Sequence, residues 1–293
     1  MRFLALIPVL GLTAVAQTNA LEKSLKARIG DFSGTVSLYA KNLDSGTTIG
    51  IREADPVRTA STIKLPVMLS VFDAVSRGQA QWTDLLTLTA TNKVSGSGVL
   101  GSEFSDGDQF PIRDVMHLMI VLSDNTATNL ILDRFTSDAV NAYLDKIGIR
   151  TTRSLRKILG NGEPGFSAAG RLPENKKYGI GVSTPRDMVT ILEKLERGEI
   201  VGPEASHEMI AVLKRCQDST GMRRLLKDIP IANKTGALDA LRSEVGIAYS
   251  KGGRIAMAIT VDGIPKPDWT PDNPGSLMIA DLAKTLVDGL AKN

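Results

Sequence analysis

Ser61 and Lys64 stand three residues apart at the head of an apolar stretch, Leu65-Pro66-Val67-Met68-Leu69. Residues at that spacing share one face of a helix, so the lysine amine comes within reach of the serine hydroxyl. Free serine is a poor nucleophile until a base takes its proton, and a lysine withdrawn from water beside other cations loses enough basicity to be that base. The positive end of the helix favours negative charge developing at the hydroxyl. Two more short motifs follow in order, Ser123-Asp124-Asn125 and Lys234-Thr235-Gly236, their first positions 62 and then 111 residues farther on. Singly, each has a plainer explanation: Ser61 or Thr62 as a helix cap with Lys64 solvated, or Ser123 to Asn125 closing one helix and opening the next. Together, in this order, they spell a serine acyl-transfer site.

These groups need elements to hold them. From Ser61 to Arg77 the apolar residues Ile63, Val67, Val71, Ala74 and Val75 recur at helical spacing until Gly78 stops the pattern. Upstream, a short helix is expected over about Leu21 to Ile29, then a β-hairpin from Thr35 to Ala40 and Thr47 to Arg52 around Asn42-Leu43-Asp44-Ser45-Gly46. Helices are expected near Ile112 to Leu122, Thr126 to Thr136, Ser137 to Ile147 and Pro185 to Arg197. Ile229 to Lys234, Glu244 to Ser250 and Arg254 to Val261 read as strands, with Lys251-Gly252-Gly253 a tight turn and a closing helix from about Ser276 to Leu290. Strands from both chain ends then share one sheet, and the helical middle forms an inserted lobe. The expected α/β lobe covers residues 21–53 and 205–293, and the all-α lobe residues 54–204.

Bulk properties narrow the class. Residues 1–20 carry one charge, Arg2, then the apolar run Phe3 to Ala16 and small residues to Ala20, the pattern of a secretory signal peptide cleaved after Ala16 or Ala20. A secreted, periplasmic or extracellular protein is expected, with no stable membrane span after processing. Cys216 is the single cysteine, which excludes an intramolecular disulfide. Without Arg2 the formal charge falls from +3 to +2, and both signs are spread along the chain, so no nucleic-acid partner is indicated. The apolar fraction of 42% is ordinary for a globular protein, and a monomer acting on a small-molecule substrate is expected. His117 and His207 lie apart in sequence without metal-ligand spacing, which disfavours a zinc hydrolase or a Ser-His-Asp site. No metal or other cofactor is implied.

On its three motifs the chain resembles the class A β-lactamases and penicillin-binding proteins, from about Leu21 to the C-terminus. Gly96-Ser97-Gly98-Val99-Leu100, the run Met119 to Leu132 and Ser183-Thr184-Pro185-Arg186-Asp187-Met188 carry the same likeness. The resemblance implies a β-lactamase/transpeptidase-like α/β fold, a mainly antiparallel sheet flanked by helices, with the site in the groove between lobes. It also implies roles. Ser61 is the nucleophile and Lys64 its base, Ser123 relays a proton to the leaving nitrogen, and Asn125 holds the substrate's amide carbonyl while Asp124 braces the turn. Lys234 and Thr235 receive the substrate carboxylate, Gly236 admits the substrate backbone, and the N–H groups of Ser61 and Ala237 form the oxyanion hole. Arg242 is a candidate to complete the carboxylate site, one residue away from the expected spacing.

One element departs from the family. Class A enzymes activate the deacylating water with a glutamate in a loop between the second and third motifs; here the expected position falls near Ile158 or Leu159, which cannot take a proton. Glu163-Pro164 is a shifted partial match and Glu174-Asn175 a second option, so the deacylation base is Glu163, Glu174 or absent. The resulting expectation is hydrolysis of β-lactam amides through a Ser61 acyl-enzyme. The alternatives are a DD-peptidase or esterase, and a slow-turnover penicillin-binding or sensor protein without an efficient base.

Overall fold

A computed structural model of the chain describes residues 10–291. The hairpin strands β1 (Thr35–Asn42) and β2 (Thr48–Ile51) pair with the three C-terminal strands β8 (Ile231–Leu238), β9 (Leu241–Ser250) and β10 (Gly253–Asp262). The sheet order is β2-β1-β10-β9-β8, antiparallel throughout. Two small sheets sit beyond it: β3 (Val57–Arg58), β7 (Gly181–Ser183) and β6 (Arg153–Ser154) in one, β4 (Leu85–Thr87) and β5 (Gln109–Pro111) in the other. The expected hairpin and late strands are all present, and β8 runs past Lys234 so that the whole third motif lies on an edge strand.

Side chains alternate across the pleat. Val36, Leu38 and Ala40 of β1 and Ile255, Met257, Ile259 and Val261 of β10 form one buried cluster with Leu21 and Leu25 of helix α1 (Leu10–Ile29) and Leu282, Leu286 and Leu290 of helix α10 (Pro274–Leu290). Ala256 and Ala258 of β10 face the other way, into the core that contains helix α2 (Lys64–Ser76). Every residue of α2 from Lys64 to Ala74 is buried, so this helix is the central rod of the helical region. Around it lie α3 (Ile112–Val121), α4 (Asn125–Phe135) and α5 (Ser137–Lys146).

Two boundaries differ from expectation. Helix α1 begins at Leu10, not near Leu21, and passes through Ala16 and Ala20; the remainder of the expected leader, residues 1–9, lies outside the described residues. Leu21 and Leu25 of this helix are buried against the sheet. Helix α7 (Pro185–Glu196) was expected in the helical lobe but packs on β1 and β10, with Met188, Val189, Ile191, Leu192 and Leu195 buried. Its apolar stripe covers the sheet face opposite α10, so the lobe boundary falls before Pro185 and not at residue 204. Helix α8 (Pro203–Lys214) follows and packs along β8 and α3, while the short α6 (Ala168–Arg171) and α9 (Met222–Leu225) complete the described α-helices. Among the described residues no helix is long and apolar enough to cross a membrane.

Candidate active site

A cavity of about 610 Å³ opens between the edge strand β8 and the helical region, with Ser61, Ser123, Asn125, Thr235, Gly236 and Ala237 on its wall. All three motifs therefore meet at one place, although they are far apart in sequence. Ser61 sits in a single 3-10 turn, Ala60–Ile63, that runs directly into α2. Ala60 before it and Ser123 both adopt positive φ, 45° and 56°. Non-glycine residues there cost about 1–3 kcal/mol each and persist where surrounding structure holds them. Strand β8 crosses close against this turn. A side chain at Gly236 would meet the Thr59 carbonyl oxygen at 2.7 Å and the Ser61 amide nitrogen at 2.9 Å, so only glycine lets the strand and the nucleophile's backbone share that space.

Lys64 is fully buried. Its Nζ lies 2.7 Å from the Ser123 carbonyl oxygen, 3.0 Å from Asn125 Oδ1 and 3.3 Å from Ser123 Oγ. Lys234, also fully buried, donates to Ser123 Oγ at 3.0 Å and to the Thr235 carbonyl at 2.9 Å. Burial, and then the neighbouring charge of Lys234, push the Lys64 amine well below the ordinary lysine value, a loss that Asp124 partly opposes. Burial lowers Lys234 too, against the nearby acidic groups Cys216, Asp218 and Glu244. A neutral Lys64 suits the contacts it makes. Two of its neighbours can only accept, and the third is a hydroxyl that already accepts from Lys234 and can turn its own proton toward the amine.

Asp124 is a brace. Its carboxylate accepts from the Ala127 amide at 2.8 Å, capping α4, and from the amides of Val99 and Leu100 at 2.7 and 2.9 Å. That fixes the loop 96–100 against α4. Gly98, at φ 111°, lies so close that a side chain would strike the Asp124 carboxyl carbon at 2.2 Å. Asn125 Nδ2 donates to the Ser95 carbonyl at 3.1 Å, and its amide to the Ser97 carbonyl at 2.9 Å. The middle motif thus holds both a proton path and one wall of the cavity.

The loop after β6 presents Arg156 and Ile158 to the cavity. Asn129 on α4 clamps Ile158 at both backbone groups, accepting from its amide at 2.9 Å and donating to its carbonyl at 3.1 Å. The same Asn129 donates to the Asn92 carbonyl at 3.2 Å, and Lys157 pairs with Asp133 at 2.5 Å. Asn129, one helical turn beyond Asn125, was not singled out from sequence; the i, i+4 spacing on α4 was its only signal. Glu163 and Glu174 are exposed and absent from the cavity wall. The Lys157 amide bonds to the Pro164 carbonyl at 2.8 Å, folding the loop back on itself so that Glu163 sits at an outward bend. The structure does not bring Glu163 to Ser61, because the residue that Asn129 holds at the wall is Ile158. Among the described residues lining the cavity the one carboxylate is Asp218, which accepts from the Thr220 amide and hydroxyl at 2.9 and 2.8 Å.

Arg242 does not present a free guanidinium to the cavity. It donates to the carbonyls of Leu238 and Leu241 at 2.7 and 2.8 Å and to that of Asp268, and lies 4.9 Å from the Trp269 ring. It lines an adjoining depression shared with Thr235 and Gly236 and ties down the loop that brings Trp269 to the rim. Cys216 is buried on the cavity wall.

Comparison with known proteins agrees with this geometry. The model of the β-lactamase enzyme family matches residues 20–290. The carbapenem-hydrolysing β-lactamase KPC of Klebsiella oxytoca is 24% identical over 98% of this chain and 94% of its own. The crystal structure of a β-lactamase from Sphaerobacter thermophilus superposes with a TM-score of 0.79 at 28% identity, covering 93% of this chain and 97% of that one. PBP-A, in a variant with a leucine replaced by glutamate and solved as its acyl-enzyme with penicillin G, gives 0.79 at 26% identity over 94% and 97%. With the fold, the meeting of the three motifs and a family match over nearly the whole length in accord, the chain belongs to the β-lactamase enzyme family and is a serine β-lactamase-like hydrolase.

Proposed function

We propose that this is an exported penicillin-binding serine hydrolase, acylated at Ser61 by β-lactams and D-alanyl peptides, whose β-lactam adducts deacylate slowly. The leader pattern in residues 1–20 supports export. The observation that carries the reading is the pairing of a full set of acylating groups with an isoleucine at the wall: Ile158 is locked by Asn129 and lines the same cavity as Ser61.

In acylation, Lys64 takes the Ser61 hydroxyl proton as Oγ bonds to the substrate carbonyl carbon. The oxyanion is received by the N–H groups of Ser61 and Ala237. As the carbon–nitrogen bond breaks, the proton passes from Lys64 through Ser123 Oγ to the leaving nitrogen, along the contacts of 3.3 Å and from an oxygen that Lys234 polarises at 3.0 Å. Lys234 and Thr235 hold the carboxylate next to that nitrogen, and Asn125 holds the acyl-side amide. Hydrolysis of the ester then needs a base for water. The alkyl side chain of Ile158 gives none, and Lys64, once more neutral, is placed to take the proton.

Efficient β-lactam hydrolysis, the first expectation from sequence, draws support from the family and from relatives named as β-lactamases. Intact-mass labelling with benzylpenicillin separates the two. The slow-turnover reading expects a persistent adduct on the wild type, none on Ser61→Ala, and unaltered adduct lifetimes in Glu163→Gln and Glu174→Gln. A lifetime lengthened by either glutamine variant would restore that glutamate as the base, and labelling of Ser61→Ala would overturn the assignment of the nucleophile.

A further inference from the structure

Arg156 is a cation on the cavity wall with no ion-pair partner among the described residues. Two neighbouring cations are paired, Arg153 on β6 with Asp145 at 2.7 Å and Lys157 on the loop after it with Asp133 at 2.5 Å. Arg156 itself makes one protein hydrogen bond among the described residues, from Nη1 to the Lys157 carbonyl at 2.9 Å. Among the described residues no acidic side chain pairs with it, and burial pushes its guanidinium below the ordinary arginine value. A partly buried cation without a counter-charge is costly to the free protein. An anionic ligand would remove that cost on binding.

We propose that Arg156 is a specificity-determining residue that binds a carboxylate on the acyl half of the substrate. This rests on the reading that Ser61 is acylated. Arg156 and Ser61 line the same cavity, and Arg156 enters it beside Ile158, from the loop after β6 and not from β8. Lys234 and Thr235 on β8 are placed for the carboxylate beside the leaving nitrogen. A second cation on another wall therefore serves the other half of the molecule. The Nε and Nη2 groups of Arg156 are unspent, and a guanidinium fork matches a carboxylate in two parallel hydrogen bonds. The preferred acyl donor is accordingly one with an anionic group on each side of the scissile bond, which a peptide with a side-chain carboxylate supplies and a simple penicillin does not.

Benzylpenicillin and carbenicillin test this directly, since they differ by one carboxylate on the benzylic carbon of the acyl side chain. Second-order acylation rate constants, followed by intact mass, are compared for wild type, Arg156→Gln and Arg156→Lys, each checked for an unchanged thermal melt. The expected result is a loss of about tenfold or more with carbenicillin in Arg156→Gln, less than about twofold with benzylpenicillin, and partial recovery in Arg156→Lys, because one good charge-assisted pair is worth a factor of this order. The carbenicillin loss should appear in the concentration needed for half-maximal acylation and not in the limiting rate. Equal losses with both penicillins would make Arg156 a strut of its loop and overturn the proposal, as would no loss with either. If benzylpenicillin fails to label the wild type, the acylation reading falls and this one with it; normal benzylpenicillin labelling with an unaltered ratio removes this one alone.

Discussion

Lys64 and Lys234 reach the same hydroxyl, Ser123 Oγ, from two sides, at 3.3 and 3.0 Å. Two buried amines joined through one oxygen cannot both hold a full charge cheaply, and the lysine lowered further is Lys64, the one that must accept a proton. Their titrations belong to the pair. Acylation should rise with pH as Lys64 becomes neutral, on a limb well below the ordinary lysine value of 10.5, and fall again as Lys234 loses the charge that holds the substrate carboxylate. Lys64→Met should remove the rising limb and cost about 10²–10⁴-fold in acylation rate. Stopped-flow acylation across the range in which the protein stays folded checks both. An unchanged rising limb in Lys64→Met would assign it to another group. The residues carrying this chemistry were legible in sequence because they are fixed by type and order. Arg156 was not, because an arginine shows itself as unpaired only when its neighbours in space are known.

At the scale of elements, two loops are pinned to α4 and both face Ser61. Asp124 holds the loop 96–100 through the amides of Val99 and Leu100 while capping α4 at Ala127, and Asn129 holds Ile158 through two backbone groups. Asp124→Asn exchanges one accepting oxygen for a donor and removes the charge, so at least one buried amide loses its partner. A loss of roughly 3 kcal/mol is expected in denaturant unfolding, with weaker acylation as the wall loosens. A stability change under about 0.5 kcal/mol would show that the brace is dispensable. Ile158→Glu puts a carboxylate on a backbone that is already held at the cavity, and should speed deacylation by about 10²-fold or more. No acceleration would mean that the clamped position does not overlook the ester. The sequence predicted α2 from its apolar repeat and helices near α3 to α5, and the family resemblance put the missing glutamate near Ile158 or Leu159. Which residue of the loop meets the cavity depends on Asn129, a contact across 29 residues that no local pattern reports. The outward bend at Glu163 is set the same way, by the pairing of Lys157 with Pro164.

For the molecule as a whole, the sheet carries a helical layer on each face, and the site lies where its edge strand β8 meets the helical region. The closing helix α10 was legible as an element from about Ser276 to Leu290, whereas α7 was misplaced because its amphipathic stripe does not say which apolar surface it covers. One buried acid couples this architecture to pH. Glu244 on β9, opposite Thr235, accepts from Asn233 at 2.6 Å and from the Met222 amide at 2.9 Å, and burial raises it from 4.5 to about 7. The folded state thus binds its proton more tightly than the unfolded state. Its contribution to stability is full below pH 4.5 and is lost as pH rises through about 7, an effect of up to about 3 kcal/mol that Glu244→Gln should abolish. Melting curves of the two proteins should converge at acid pH relative to one another and separate in favour of the variant above neutrality; a pH-independent difference would place the titration elsewhere. The lowered lysines act in the opposite sense, their cost easing as pH rises toward 10.5. The central claim, that the molecule acylates readily and lacks a carboxylate to release the ester, is tested most directly by quenched-flow reaction with a chromogenic cephalosporin. The account predicts a burst of one equivalent per Ser61, then a slow phase with the adduct intact by mass. Linear turnover from the first cycle with no adduct accumulating would contradict it.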